Sequence, residues 1–264
     1  VNISEPASAV FEGGTVKVAG EAVSGETIVI GDVKNYGIEV AGIGITTVNA
    51  GGVESSDITK GSVTYDDATK TLTLNNAEIN GSIRLSEVIT DIINIQLIGE
   101  NTVTCTETQG FYTKEGGFRF FSDGTGSLVI TASGLTSSGV EAKKAITFDN
   151  CLVITDGGQR GLSGVTQDCV VTVDNAALRV KGEQSCVAGM KNIVLANGVQ
   201  ANPTADNKAI KVNDFGTKIE YVASGDVVRN VWVDLSEPYN MWIGSVMLTR
   251  ATAYKPNTEI ATGV

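Results

Sequence analysis

Acid–base catalysis on a glycosidic bond needs two carboxyl groups aimed at one bond, roughly 5 to 9.5 Å apart. The most conspicuous carboxylate pair in this chain is Asp66-Asp67. It sits in a polar turn, Asp66 to Lys70, between the alternating runs Val63-Thr64-Tyr65 and Thr71-Leu72-Thr73-Leu74. Adjacent residues of a tight turn point apart, so the pair reads as a solvated turn. A second set, Asp149, Asp156, Asp168 and Asp174 with Arg160 and Arg179, holds the ingredients of a Ca²⁺-assisted polysaccharide lyase. Asp149 and Asp174 each precede an Asn, which also explains both as turn formers. There is no His in the chain, so neither a Ser-His-Asp nor a Cys-His arrangement exists. Cys105, Cys151, Cys169 and Cys186 show no metal-ligand spacing. Gly13-Gly14 and Gly157-Gly158 open no helix and are not phosphate loops. The sequence therefore assigns no catalytic residue, metal or cofactor.

Sugar binding makes different demands: a flat aromatic ring on an exposed face, with planar hydrogen-bonding groups beside it. Phe111 and Tyr112 lie in a polar, Gly-bounded segment running from Thr106 to Gly117. That segment is expected to leave the wall of the fold as a loop, or to fold its own aromatics onto the flank. As a loop it offers Phe111 and Tyr112 as a stacking platform, with Gln109 and Lys114 as hydrogen-bond donors. Arg119, set among Phe118, Phe120 and Phe121, is a further candidate contact, and one parity of that run must be core. Trp232 and Trp242 are assigned to capping an exposed end.

The elements that must carry these residues are short strands. Apolar alternation recurs at Leu72-Thr-Leu74, Ile95-Gln-Leu97, Leu128-Val-Ile130, Leu152-Val-Ile154, Val171-Thr-Val173 and Ile193-Val-Leu195. First residues are separated by 23, 33, 24, 19 and 22 positions, close to one coil of a solenoid except where 106–117 intervenes. Asparagine counts the same period: Asn76, Asn150, Asn175 and Asn197 each stand at a strand end beside a small residue. Such residues tolerate a left-handed corner, and stacked Asn side chains can share amide hydrogen bonds. Shared parity places Leu72, Leu74, Leu128, Ile130, Leu152, Ile154, Val171 and Val173 inside. Cys105 and Cys169 follow the inward valines, which predicts buried free thiols and no essential disulfide. Ser55 to Lys60 is read as one helical turn.

A longer repeat links residues 36–50 to 239–253 at an offset of 203. It fits either a tandem array or two related end caps on one solenoid. The expected organisation is a β cap over 1–60, a parallel β-helix over 61–203 and a second β segment over 204–264.

Composition sets the partners. A net charge of −11 repels phosphate backbones and argues against nucleic acid. Nothing approaches the apolar run of a membrane-spanning helix. Gly is abundant, 31 residues against four prolines, as expected for many turns joined by unbroken ladders. The chain starts at Val1 without Met or a signal peptide, which fits a trimmed exported protein or an excised segment.

The series Tyr36-Gly-Ile-Glu-Val-Ala-Gly-Ile43, Gly61 to Ala77, and Ile95-Gln-Leu-Ile-Gly-Glu-Asn-Thr-Val103 resembles the repetitive β-helical surface and secreted proteins of gut bacteria labelled carbohydrate-binding. The similarity covers about 36–203 and rests on structural motifs. It implies glycan contact at a cell surface and supplies no catalytic residues. The expectation is an all-β, right-handed parallel β-helix with irregular β segments at both ends. Its expected role is non-catalytic: a secreted or cell-surface module contacting a glycan or a surface protein. The alternative is a polysaccharide-acting enzyme on the same scaffold.

Overall fold

The computed structural model describes residues 33–106, 108–166, 168–183 and 185–196. It adds the strand backbones Val16–Val18, Glu21–Val23, Gln200–Pro203, Lys218–Val222, Asn230–Val233, Met241–Ile243 and Val246–Leu248. The chain divides into two units, Val1–Lys34 and Asn35–Val264. In the first, Val16–Val18 pairs antiparallel with Glu21–Val23. The second is a parallel β-solenoid of about five turns, and no helix occurs among the described residues.

Each coil has three walls. The first wall stacks the leading half of Thr71–Asn80, then Ile92–Ile98, Gly117–Phe121, Ala145–Asp149, Cys169–Asp174 and Met190–Ala196. The second stacks the trailing half of Thr71–Asn80, then Glu100–Cys105, Ser127–Ala132, Leu152–Gly157 and Ala177–Gly182. The third is built of shorter strands: Ile83–Leu85, Phe111–Thr113, Ser138–Ala142, Arg160–Gly164 and Ser185–Ala188. The strand Ile58–Asp66 lies antiparallel along Thr71–Asn80, so Ser55 to Lys60 is not helical: Ile58 to Lys60 already belongs to this strand. β-branched Ile58 and Thr59 favour the extended backbone. The hairpin Asn35–Val40 with Ile43–Thr46 joins the third wall antiparallel to Ile83–Leu85.

The repeat at offset 203 is visible in the backbone. Val40 pairs Ile43 and Glu39 pairs Gly44 in the first hairpin; Ile243 pairs Val246 and Trp242 pairs Met247 in the second. Both sites thus form one two-residue hairpin in one register.

Strand alternation fills the interior. Leu72, Leu74, Ile93, Ile95, Phe118, Phe120, Ile146, Phe148, Val171 and Val173 point inward and are buried. Phe111 comes in from the third wall and meets Phe118 and Phe120 edge-on, with centroids 5.6 and 5.0 Å away. Phe120 stacks on Phe148 of the next coil at 5.3 Å. These four rings are the largest fully buried side chains among the described residues, and each contributes roughly 1.5–3 kcal/mol.

Two sequence expectations fail here for one reason. Ile95 belongs to the first wall and Leu128 to the second wall of the following coil, so their separation of 33 spans a corner as well as a coil. The true register steps on the first wall, read from Thr71↔Asn94, Ile93↔Phe118, Phe118↔Ile146, Ile146↔Val171 and Val171↔Ile193, are 23, 25, 28, 25 and 22. The segment 106–117, expected to loop away from the wall, instead carries the third-wall strand of its coil, Phe111–Thr113, and Phe111 is fully buried. Likewise Leu128 aligns with Val153 and Ile130 with Thr155, which turns Leu152 and Ile154 outward. Leu152 is 41% exposed and Ile154 half-buried, while Val153 is buried.

The corner between first and second walls follows the asparagines. Asn76, Asn150 and Asn175 all take positive φ, 48°, 50° and 43°. Asn175 Nδ2 donates to Asn150 Oδ1 at 3.0 Å, and Asn150 Nδ2 donates to Ser122 O at 3.3 Å. Asn175 Oδ1 is buried without a partner among the described residues, and Asn197 lies outside them. In the second coil the corner is Gly99, at φ +64°, where a Cβ would collide with the Asn76 side chain. Next to it, buried Asn101 accepts from Ala77 N at 2.8 Å and donates to Ser127 O at 3.1 Å, tying three coils together.

Candidate functional site on the first wall

Since inward positions are taken by the core, chemistry is left to the outward ones. On the first wall these fall in two rows in register. One runs Thr71, Asn94, Arg119, Thr147, Thr172; the other Thr73, Gln96, Phe121, Asp149, Asp174. Successive coils lie about 4.8 Å apart and the rows about two residues apart along the strand. Planar amides, an aromatic ring, a guanidinium and carboxylates therefore share one surface.

Its centre is Arg119. The guanidinium ion-pairs with Asp149 of the next coil, and its Cζ lies 4.8 Å from the centroid of the Phe121 ring. Both charged side chains are partly exposed, so the pair adds at most about 1 kcal/mol to stability and its main effect is to fix orientation. One coil earlier Thr73 Oγ donates to Gln96 Oε1 at 3.1 Å, and Asn94 Nδ2 donates to Thr69 O at 3.1 Å. The amides are thus held in place, with hydrogen-bonding capacity left over.

The third wall carries a single outward row in register, Glu39, Arg84, Tyr112 and Glu141, which ends at the buried Ser163. Arg84 lies over Tyr112 with its Cζ 5.0 Å from the ring centroid. Ser138 Oγ donates to Glu141 at 3.2 Å. Lys114 follows this strand and pairs with Glu87 at 2.7 Å, and Gln109 precedes it in the turn. Of the five sequence candidates, then, Tyr112, Gln109 and Lys114 lie on or beside the third wall, and Arg119 faces outward from the first. Phe111 faces neither: it packs on Phe118 and Phe120 and has no exposed ring to offer. Sequence reasoning missed Gln96, Asp149 and Arg84 as partners, because only the coil register brings them beside Phe121, Arg119 and Tyr112.

The carboxylates disperse. Asp149 aligns with Asp174 one coil on, as their spacing implied, but Asp149 is held by Arg119, and Asp156 pairs with Lys181 at 2.9 Å on the second wall. Arg160 donates to Ser163 at 3.5 Å on the third wall, and Arg179 is exposed on the second. Asp66 is a turn former: it accepts from Ala68 N at 2.9 Å and Thr69 Oγ at 2.8 Å, which lowers its pKa. Hydrogen bonds likewise lower Glu78 through Lys60, Glu115 through Lys143 and Asp123 through Thr125. These four stay ionised and are unsuited to act as general acids. Among the described residues no three Cys, Asp or Glu side chains converge on a point.

Cys105, Cys151 and Cys169 are buried free thiols. Burial pushes Cys151 and Cys169 up to about 12, so they are poor nucleophiles. The Cys186 side chain lies outside the described residues, as do those of Trp232 and Trp242.

No protein-family model matches the chain, and no curated protein or solved structure shows significant similarity to it.

Proposed function

We propose that this chain is a non-catalytic, exported cell-surface module that binds glycans on the outside of its solenoid. The observation that carries this reading is the Arg119–Phe121 pair, steadied by Asp149 and flanked in register by Gln96. A ring for stacking and planar polar groups for hydroxyls stand half-exposed on one outward-facing wall, the combination that sugar recognition requires. The resemblance of 36–203 to carbohydrate-binding surface proteins points the same way.

A glycan array probed with the purified chain tests it, followed by calorimetry on the best binder. Phe121→Ala is expected to weaken that binder by about tenfold or more, because a stacking contact and the support of Arg119 are lost together. Tyr112→Ala on the third wall serves as the comparison. An array without any binder, or unchanged affinity in both Phe121→Ala and Arg119→Ala, would overturn the assignment.

A further inference from the structure

Resting on that glycan reading, we infer that the ligand is a linear, extended, neutral polysaccharide lying along the solenoid axis, about one sugar per coil. Three features of the first wall lead there. An outward position recurs along the axis, filled by a different polar or aromatic group each time: Gln96, Phe121 and Asp149 stand in one row in three consecutive coils. The coil spacing of about 4.8 Å is close to the advance of one sugar in an extended, equatorially linked chain. A polymer running across the strands therefore meets an equivalent position at each sugar. A chain running along a single strand meets only the two or three outward residues of one coil.

The second feature is shape. The contact groups stand on the outer face of a sheet, and each offers one hydrogen bond or one ring contact. A single sugar gains little from so shallow a surface, so affinity must accumulate over several coils. That selects long unbranched chains over short or branched ones. The third feature is charge. Arg119 offsets Asp149, but Asp174 follows in the Phe121 row and leaves this surface net negative, on a chain whose net charge is −11. Uronate or sulfated polymers meet repulsion here, whereas the hydroxyls of neutral sugars can donate to the carboxylates.

The test is calorimetry of the whole chain against neutral β-1,4-linked gluco-, manno- and N-acetylglucosamine oligosaccharides of two to six units, with oligogalacturonates as the anionic series. In one neutral series affinity should rise by about tenfold or more from two units to five and then level off. Oligogalacturonates should bind at least about tenfold more weakly than the neutral chain of equal length. Thr71→Val and Thr172→Val each lie two coils from Arg119, one on either side. They should weaken the five-unit ligand by several-fold and leave the two-unit ligand unchanged, with unaltered thermal unfolding as the folding control. Affinity that is flat with length, tighter binding of the galacturonates, or an array whose binders are all branched or anionic would overturn the linear neutral ligand and leave glycan binding standing. An array with no binder at all would remove both.

Discussion

The first and second walls share a corner and a core, yet differ outside. Inward they are alike: Phe120, Ile146 and Val171 on one, Ile130, Val153 and Val180 on the other, all buried. Outward the first wall presents Gln96, Arg119, Phe121 and Asp149, whereas the middle of the second presents Val129, Leu152 and Ile154. Solenoid stacking dictates what lies inside a wall and leaves the outside free. The outside is thus where one wall can acquire a binding surface while its neighbour stays plain.

The largest effect that would break this comparison is a core truncation set against its outward neighbour. Phe120→Ala should cost about 3–5 kcal/mol in chemical denaturation, since the ring touches Phe111, Phe118 and Phe148 and its void cannot close. Phe121→Ala, one residue on, should cost less than about 1 kcal/mol. Similar losses would mean that the two faces of the strand are not distinct.

At the shared corner, Asn101→Ala should cost about 2–3 kcal/mol, because it orphans the buried Ala77 N–H and removes the donor to Ser127 O of the next coil. A loss under about half a kcal/mol would show that water replaces the side chain and that the corner does not lock the walls.

On the second wall the sharper contrast is Val153→Ala, expected near 2 kcal/mol, against Ile154→Ala, expected below about 1. Reversed magnitudes would restore the parity that the sequence alone suggests and move the register by one.

At neutral pH the thiols have the smallest effect, and theirs emerges only in alkali. Cys151 and Cys169 are raised from the usual 9.0 to about 12 by burial, so the folded state holds their protons more tightly than the unfolded state. Their contribution is intact below pH 9 and is lost progressively as pH rises from about 9 through about 12. A Cys151→Ala, Cys169→Ala chain should show a shallower alkaline fall in stability than the parent. Equal slopes would mean that both thiols are open to solvent.

Much of the fold could be read from the residues. The Asn76, Asn150 and Asn175 corners need a left-handed backbone, and few residues supply one, so their spacing reports the coil directly. Alternation proved a weaker guide. In Leu152-Val-Ile-Thr155 both parities are apolar or neutral, so only the ladder to Leu128 and Ile130 decides which side is buried. Phe111–Thr113 was missed as a strand because three residues are too few to show a period. The candidate site was legible only as single residues: Arg119 was visible, while its partner Asp149 lies 30 positions away and meets it through stacking alone.

The strand Ile58–Asp66 also bears on how the chain folds. Thr71–Asn80 passes through the corner and serves two walls, so this one antiparallel partner closes both against further strands. Its pairing with Thr71–Asn80 is also local, joined by a four-residue turn at 67–70, whereas every later coil must close a loop of more than twenty residues onto its predecessor. On the first and second walls, loop-closure entropy makes that hairpin the cheapest first contact, and each coil added afterwards finds a template already in place. Folding thus acquires a direction, from residue 58 toward higher numbers. Pulse-labelled amide exchange should find Val63 and Leu74 protected before Val171 and Ile193; the opposite order would place the nucleus in the later coils.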